Sequence, residues 1–245
     1  MQAGAKETGA DGKPTDRAAK LRRLVEAIAP WTGETDVDER AVALVDAMRR
    51  RFRRALQREI LVAAMAAREP GLARSEYVAR ADRLGRVPAL DERFLQIAEA
   101  RPDHLLPPSE RSWDAFYARL AIEAGAECAG RDGFLRWGKA NTSSFGHPLA
   151  SALPLLANKF GLPTHEQPGH STCVRVASPQ FGASDRLVVR VGDEAHATIQ
   201  TPGGQSADPQ SLHYSDLHQS WRDGRLLPLQ PGTAAERIEF TPAAP

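Results

Sequence analysis

A hydroxyl becomes a nucleophile only when a base can take its proton. Serines and threonines close to a histidine, or close to a potential new amino terminus, are therefore the first residues to weigh. Thr142, Ser143 and Ser144 follow Asn141. Cleavage before one of them would leave a hydroxyl residue whose own α-amine could serve as base. Only about a hundred residues would follow, too few for a core built of paired sheets, so the three read as loop residues. Ser206 lies in Gly204-Gln205-Ser206-Ala207-Asp208, with His213 and Asp216 shortly after. These are the residue types of a Ser-His-Asp triad. A nucleophile elbow, however, needs a second glycine and a strand-to-helix setting, and neither is evident. The better reading is a turn whose hydroxyl and amide bond the backbone.

His165 and His170 are five residues apart, as are His213 and His218. That spacing does not give the shared face of an i, i+4 zinc pair, and no Cys or Glu pattern supports a metal site. His147, before Pro148, reads as a hydrogen-bonded structural histidine. Asp36, Asp38 and Glu39 could hold a cation, but their place before a helix explains them, with Asp36 or Asp38 as cap. Arg49, Arg50, Arg51, Arg53 and Arg54 could bind phosphate. They lack interleaved exposed aromatics and read instead as the solvated face of a helix, with Phe52 as its core anchor.

These residues are carried by two kinds of chain. Upstream, apolar periodicity predicts helices. One spans Asp16 to Ala29, with Leu21, Leu24, Val25 and Ile28, and ends at Pro30. A second carries the stripe Ala41, Val45, Met48, Phe52, Leu56 and Ile60 and runs through Ala67 to a break at Pro70-Gly71. Further helices are expected over Ser75 to Leu84, Asp91 to Glu99 and Ser112 to Ala124. The last of these has Ser112 as cap and Trp113, Phe116, Tyr117 and Leu120 as a core stripe. The composition changes at Gly125 to Gly133. Beyond it, Phe134 to Gly138 reads as an extended piece or turn, and Leu149 to Phe160 as a helix stopped by Gly161-Leu162-Pro163. Strands are expected at Cys173 to Val176, Arg186 to Val191, Ala195 to Gln200 and Arg237 to Phe240. Ser215 to Arg222 should be a short helix ended by Gly224. The expected divisions are a disordered lead-in at 1–15, a helical region at 16–132 and a mixed α/β region at 133–245, the last forming one structural unit with the preceding helices.

The 32 Lys and Arg nearly balance 31 Asp and Glu in 245 residues. A net charge of +1 gives no global pull toward nucleic acid or an anionic membrane. Hydrophobic residues at 42% suffice for a substantial core. No run approaches the length of a membrane span. Two cysteines, Cys128 and Cys173, could form one bridge, though two free, partly buried thiols are favoured. Met1 to Thr15 has no apolar signal core. The expected location is cytoplasmic if the chain is complete as given, and periplasmic if it belongs to a longer secreted precursor.

One ordered set of residues is specific enough to suggest kinship. Trp137-Gly138 is followed by Phe145-Gly146-His147-Pro148-Leu149. Then come Ser184-Asp185-Arg186-Leu187-Val188-Val189 and Pro202-Gly203-Gly204-Gln205-Ser206, with Asp208-Pro209, Ser211, His213-Tyr214, Trp221 and Gly224-Arg225. This resembles the C-terminal part of the β-subunit in the penicillin acylase (penicillin amidase) family of N-terminal-nucleophile hydrolases. Trp31-Thr32-Gly33 and the helix through Phe52-Arg53 resemble the family's Trp-Asp-Gly segment and following helix, so the likeness runs from about Lys13 to the end. Thr32, Asn141 and Ala207 depart from the family's usual Asp, His and Gly.

The resemblance implies a partial section of an αββα fold, within an α+β chain whose helical half precedes a mixed half with a few strands. Those strands should present a free edge. It also implies a parent reaction, the hydrolysis of linear amides, releasing an acyl group from an amine such as a β-lactam nucleus or a homoserine lactone. The family's nucleophile, oxyanion-holding Asn and main calcium ligands precede the matched region. No catalytic, cofactor-binding or metal-ligating residue is therefore assigned in this chain, and the expected partner is the upstream acylase portion. Small-molecule amides would be substrates only of the complete enzyme; nucleic acid and membrane are not expected partners. The alternative is a non-catalytic remnant or protein-interaction module.

Overall fold

The computed structural model describes residues 15–83, 91–147, 155 and 157–229. Residues 1–14 of the lead-in, much of the segment from Leu149 to Phe160 and the expected strand from Arg237 to Phe240 fall outside them. The chain divides into two compact units, Met1–Ala140 and Asn141–Pro245.

The first unit is helical. Thr15 starts α1 (Asp16–Ile28), its hydroxyl accepting from the Ala18 N–H at 3.1 Å. Helix α2 (Ala41–Arg68) is rich in Ala, Arg, Leu and Met, the strongest helix formers. Neither Asp36 nor Asp38 caps it. Glu39 does that work, its carboxylate accepting from the N–H groups of Arg40 and Ala41 at 2.8 and 3.0 Å. Asp36 closes its own turn on the Asp38 N–H, and Asp38 pairs with Arg136. Helices α3 (Arg74–Arg83) and α4 (Asp91–Ala100) follow the break at Pro70-Gly71, where Gly71 takes φ +112°. Helix α5 (Trp113–Glu127) begins at Ser112, whose Oγ accepts from the Ala115 N–H at 3.1 Å. A two-residue hairpin, β1 (Ala129–Gly130) with β2 (Gly133–Phe134), leads to α6 (Trp137–Ala140).

Helix α2 packs against α1, α3 and α5. Leu21, Leu24, Val42, Leu44, Ala47, Ala118, Ala121 and Ala124 form one cluster, closed by Cys128 and Trp137. Leu56, Trp113, Phe116 and Leu120 form a second, with Phe52 and Tyr117 against them. Val62, Tyr77 and Ala81 form a third. The buried face of α2 is broader than its predicted stripe. Val42, Ala43, Leu44 and Ala47 are buried because helices pack on more than one side, whereas Ile60 is exposed.

Arg50, Arg51 and Arg53 of the arginine run find partners within this unit. Arg51 reaches Glu123 and Glu127, each at 2.8 Å. Arg50 reaches Glu127 at 2.7 Å and also Asp46. The Arg53 guanidinium lies 5.5 Å from the Phe94 ring centre. Burial alone would raise the Glu127 pKa, but Arg51 and Arg50 hold it below its usual value.

Among its described residues, the second unit has little regular structure: α7 (Ala157–Phe160), a β3 (Ala177–Ser178)–β4 (Phe181–Gly182) hairpin and one three-stranded sheet. The sheet runs in the order β5 (Arg186–Val188), β6 (Thr198–Gln200), β7 (Leu227–Pro228), all antiparallel. Helix α8 (His218–Asp223) ends at Gly224 in the left-handed conformation, as its sequence predicts. Three expected strands are corrected. Cys173 to Val176 is a turn wound on His170. The His170 N–H donates to the Arg175 carbonyl at 3.2 Å, and Gly169 at φ +91° lets that carbonyl lie close against it. Alternation was misleading there, because Val174 is fully exposed. Strand β5 stops at Val188, and a turn closes from the Asp193 N–H to the Arg190 carbonyl. Glu194–His196 is a 3-10 turn, so β6 begins only at Thr198. Both cysteines are free. Cys128 is buried, with Sγ 3.4 Å from the Ala43 carbonyl, and Cys173 is half-buried.

Candidate functional site

His165, His218, Arg186 and Phe145 converge on Trp221. This indole is fully buried, and its Nε1–H donates to the Ala183 carbonyl at 2.9 Å. The Phe145 ring meets it edge-on at 5.7 Å, and the Arg186 guanidinium covers it at 4.8 Å. Gly182 lies so close that a Cβ there would stand 2.8 Å from the indole. His218, one helical turn before Trp221, stacks on it at 5.8 Å and donates from Nδ1 to the Pro202 carbonyl at 2.8 Å. His165 meets both rings edge-on, at 5.1 Å from His218 and 6.1 Å from Trp221.

Buried polar side chains tie segments of the same unit together. Asn141 Nδ2 donates to the carbonyls of Gln167 and Gly169 at 3.1 and 3.3 Å. Gln167 Nε2 donates to the Ser178 carbonyl, and Gln200 Nε2 to the Leu217 carbonyl, each at 2.9 Å. Ser143 Oγ accepts from the His165 N–H at 3.0 Å and lies 2.9 Å from His165 Nδ1. Burial, then the nearby His218, Arg222 and Arg175, lower the His165 pKa, and a bond to the Pro163 carbonyl opposes that shift. Burial therefore favours the neutral imidazole.

A serine beside a neutral histidine invites a nucleophilic reading, and the geometry argues against it. Ser143 is fully buried, and its hydroxyl is held by the main chain and ring of one residue. No face of it meets solvent. Its neighbours are no better placed. The Thr142 backbone bridges to Glu166, and the Ser144 N–H donates to the Pro179 carbonyl at 2.6 Å.

The second hydroxyl candidate also resolves into a turn. Ser206 Oγ accepts from the Asp208 N–H at 3.1 Å, and the Ser206 N–H donates to the His213 carbonyl at 3.0 Å. The His213 ring pairs with Asp216 at 2.8 Å in solvent and forms no relay with Ser206. Gly204 explains the glycine in this loop: a Cβ would stand 1.9 Å from the His213 carbonyl oxygen and 2.6 Å from Asp216 Oδ1. Tyr214 anchors the loop, its hydroxyl donating to the Phe160 carbonyl at 2.5 Å.

The histidines that meet do not come from the spacings of five. His170 Nδ1 meets Thr172 Oγ1 at 2.8 Å, and His213 meets Asp216, while His165 and His218 come together from distant segments. No spacing rule could have revealed that meeting. Among the described residues, no group of three or more His, Cys, Asp or Glu side chains is arranged to hold a metal ion. Asp36, Asp38 and Glu39 go to backbone and Arg136.

The model of the penicillin amidase family matches residues 4–237. The chain belongs to the penicillin amidase family. A search of the curated proteins finds no match. In this penicillin amidase chain, the closing motif is a brace. The Pro202 carbonyl receives His218, Gly204 lets two segments touch, Tyr214 pins Phe160, Trp221 fills the centre and Gly224 ends α8. Each of these residues holds polypeptide to polypeptide.

Proposed function

We propose that this chain is the C-terminal section of the β-subunit of a penicillin-acylase-like amidase, an N-terminal-nucleophile hydrolase of αββα fold. Its role is to support a reaction centre carried by the upstream portion. The complete enzyme hydrolyses linear amides, releasing an acyl group from an amine such as a β-lactam nucleus or a homoserine lactone. The observation that carries this reading is the use made of the motif residues. The two candidate hydroxyls, Ser143 and Ser206, each accept from a main-chain N–H, Ser143 lies against the half-buried His165 ring, and His213 pairs with Asp216 rather than with Ser206.

The distribution of apolar surface favours a partner. Among the described residues, ten of the twelve exposed large hydrophobic side chains lie after Asn141. A non-catalytic interaction module would share that feature, and activity separates the two readings. The chain is assayed on a chromogenic phenylacetyl or long-chain acyl amide, alone and after co-expression with the upstream acylase section. Turnover is expected only in combination. Turnover by the purified chain alone overturns the proposal, and a stable complex without turnover favours the interaction module.

A further inference from the structure

Four buried side-chain atoms beside Trp221 have no partner in the protein: His165 Nε2, His218 Nε2, Gln200 Oε1 and Thr201 Oγ1. His218 and Gln200 are 6% and 1% exposed, so bulk solvent does not serve them. A buried polar group left unbonded costs about 1–3 kcal/mol, and four in one place call for a common partner. The chain brings their residues together. Gln200 Nε2 is tied to the Leu217 carbonyl, and the Pro202 carbonyl to His218 Nδ1. Thr201 is the residue between those two ties. The His165 ring stands edge-on, 5.1 Å from the His218 ring.

The bonds already made decide which of the four atoms donate and which accept. The Pro202 carbonyl can only accept, so His218 carries its hydrogen on Nδ1 and keeps a lone pair on Nε2. His165 is the reverse. Ser143 Oγ accepts from the His165 N–H, and among the described residues its own hydrogen has only His165 Nδ1, at 2.9 Å, to receive it. Ser143 is fully buried, so that hydrogen cannot turn to solvent. The Pro163 carbonyl is the longer contact of the ring, at 3.4 Å. His165 Nδ1 is therefore the acceptor, and Nε2 carries the hydrogen. Gln200 Oε1 can only accept, and the Thr201 hydroxyl can donate.

Two donors and two acceptors are the complement of one water molecule, which accepts two hydrogen bonds and donates two. We propose that a single water is bound among these residues, accepting from His165 Nε2–H and the Thr201 hydroxyl and donating to His218 Nε2 and Gln200 Oε1. The rival occupant of two imidazoles is a metal ion. A metal needs a lone pair on both rings, and His165 presents an N–H instead. The positive charges of Arg175 and Arg222 also bear on that ring, and among the described residues no carboxylate or thiolate completes a metal-holding group. Through the water, His165 is joined to the brace that Gln200, Pro202 and His218 form. The inference goes beyond the amidase reading and does not rest on it.

The whole, unmodified chain tests this by NMR near neutral pH, with its imidazole nitrogens isotopically labelled. The hydrogen should be found on Nε2 of His165 and on Nδ1 of His218. The His165 ring N–H should show cross-peaks to water of opposite sign in NOE and ROE spectra, the mark of a bound molecule rather than of exchange. Thr201→Val removes a hydroxyl that no protein group bonds. It should speed solvent exchange of the His165 ring proton roughly tenfold and leave the Trp221 indole N–H in place. The same tautomer on both rings overturns the inference, as does the absence of the water cross-peaks. A scalar coupling between the two Nε2 atoms shows a direct bond and overturns it. Added zinc that displaces the His165 ring proton assigns the site to a metal and overturns it as well, and unchanged exchange in Thr201→Val does the same. Amidase activity is not read in this experiment, so failure here and failure of the proposed function are separate outcomes.

Discussion

The two units of this chain bury opposite kinds of side chain. Among the described residues up to Ala140, the buried set holds twenty apolar residues and one charged residue, Asp46. Among the described residues from Asn141 onward, it holds three apolar residues, Ala177, Ala197 and Trp221, and five polar ones, Asn141, Ser143, Gln167, Gln200 and His218. The first unit is stabilised by area removed from water, which is tolerant of geometry. The second depends on directional bonds in a dry setting, where each lost partner is costly. The contrast teaches that a specific motif can answer to structural demands. The motif-rich unit is the one that needs particular residues at particular points merely to hold its shape.

The contrast breaks first if deletion of core area does not hurt the helical unit. Phe116→Ala removes a fully buried ring from the second cluster, and should cost about 4 kcal/mol. The check is loss of helical circular dichroism at lower denaturant. Next comes Gly204→Ala, whose new methyl collides with the His213 carbonyl. It should cost the second unit about 3 kcal/mol, read as faster exchange around Trp221 while the helical signal stays. A helical unit that melts with it would show that the two do not behave separately.

Smaller changes sharpen the comparison. Ser143→Ala strips the acceptor from the His165 N–H and the partner from its ring; a cost of about 2 kcal/mol is expected, measured by denaturant titration of Trp221 exchange. Because the folded His165 pKa is lowered, its contribution is fully present above its unfolded value. It is lost as pH falls through the folded value. Melts below pH ~6.5 should show the second unit weakening first, with His165→Gln flattening that slope. The smallest effect is expected at Arg51→Ala. Its partners Glu123 and Glu127 are part-exposed, so stability should change by under about 1 kcal/mol, with a dependence on salt.

What the sequence made legible follows the same division. Helical periodicity, Ser112 as a cap and the Trp113–Leu120 stripe are local properties, and α5 forms where they place it. The strands were harder to place. Cys173 to Val176 alternates like a strand, yet Gly169 and His170 bend it into a turn through contacts several residues away. The His165–His218–Trp221 assembly was not legible at all, since it joins segments more than fifty residues apart by shape. The family likeness was legible because Gly204, Tyr214 and Gly224 each answer to a steric or hydrogen-bond demand that few other residues meet.

The two free thiols give each unit its own chemical clock. Cys128 sits against the Ala43 carbonyl, with burial raising its pKa, so an alkylating reagent can reach it only when the helices part. Cys173, half-buried on its turn, reacts without that opening. Labelling one unmodified sample and counting adducts over time would therefore time the breathing of the helices against an internal standard, with no mutation introduced.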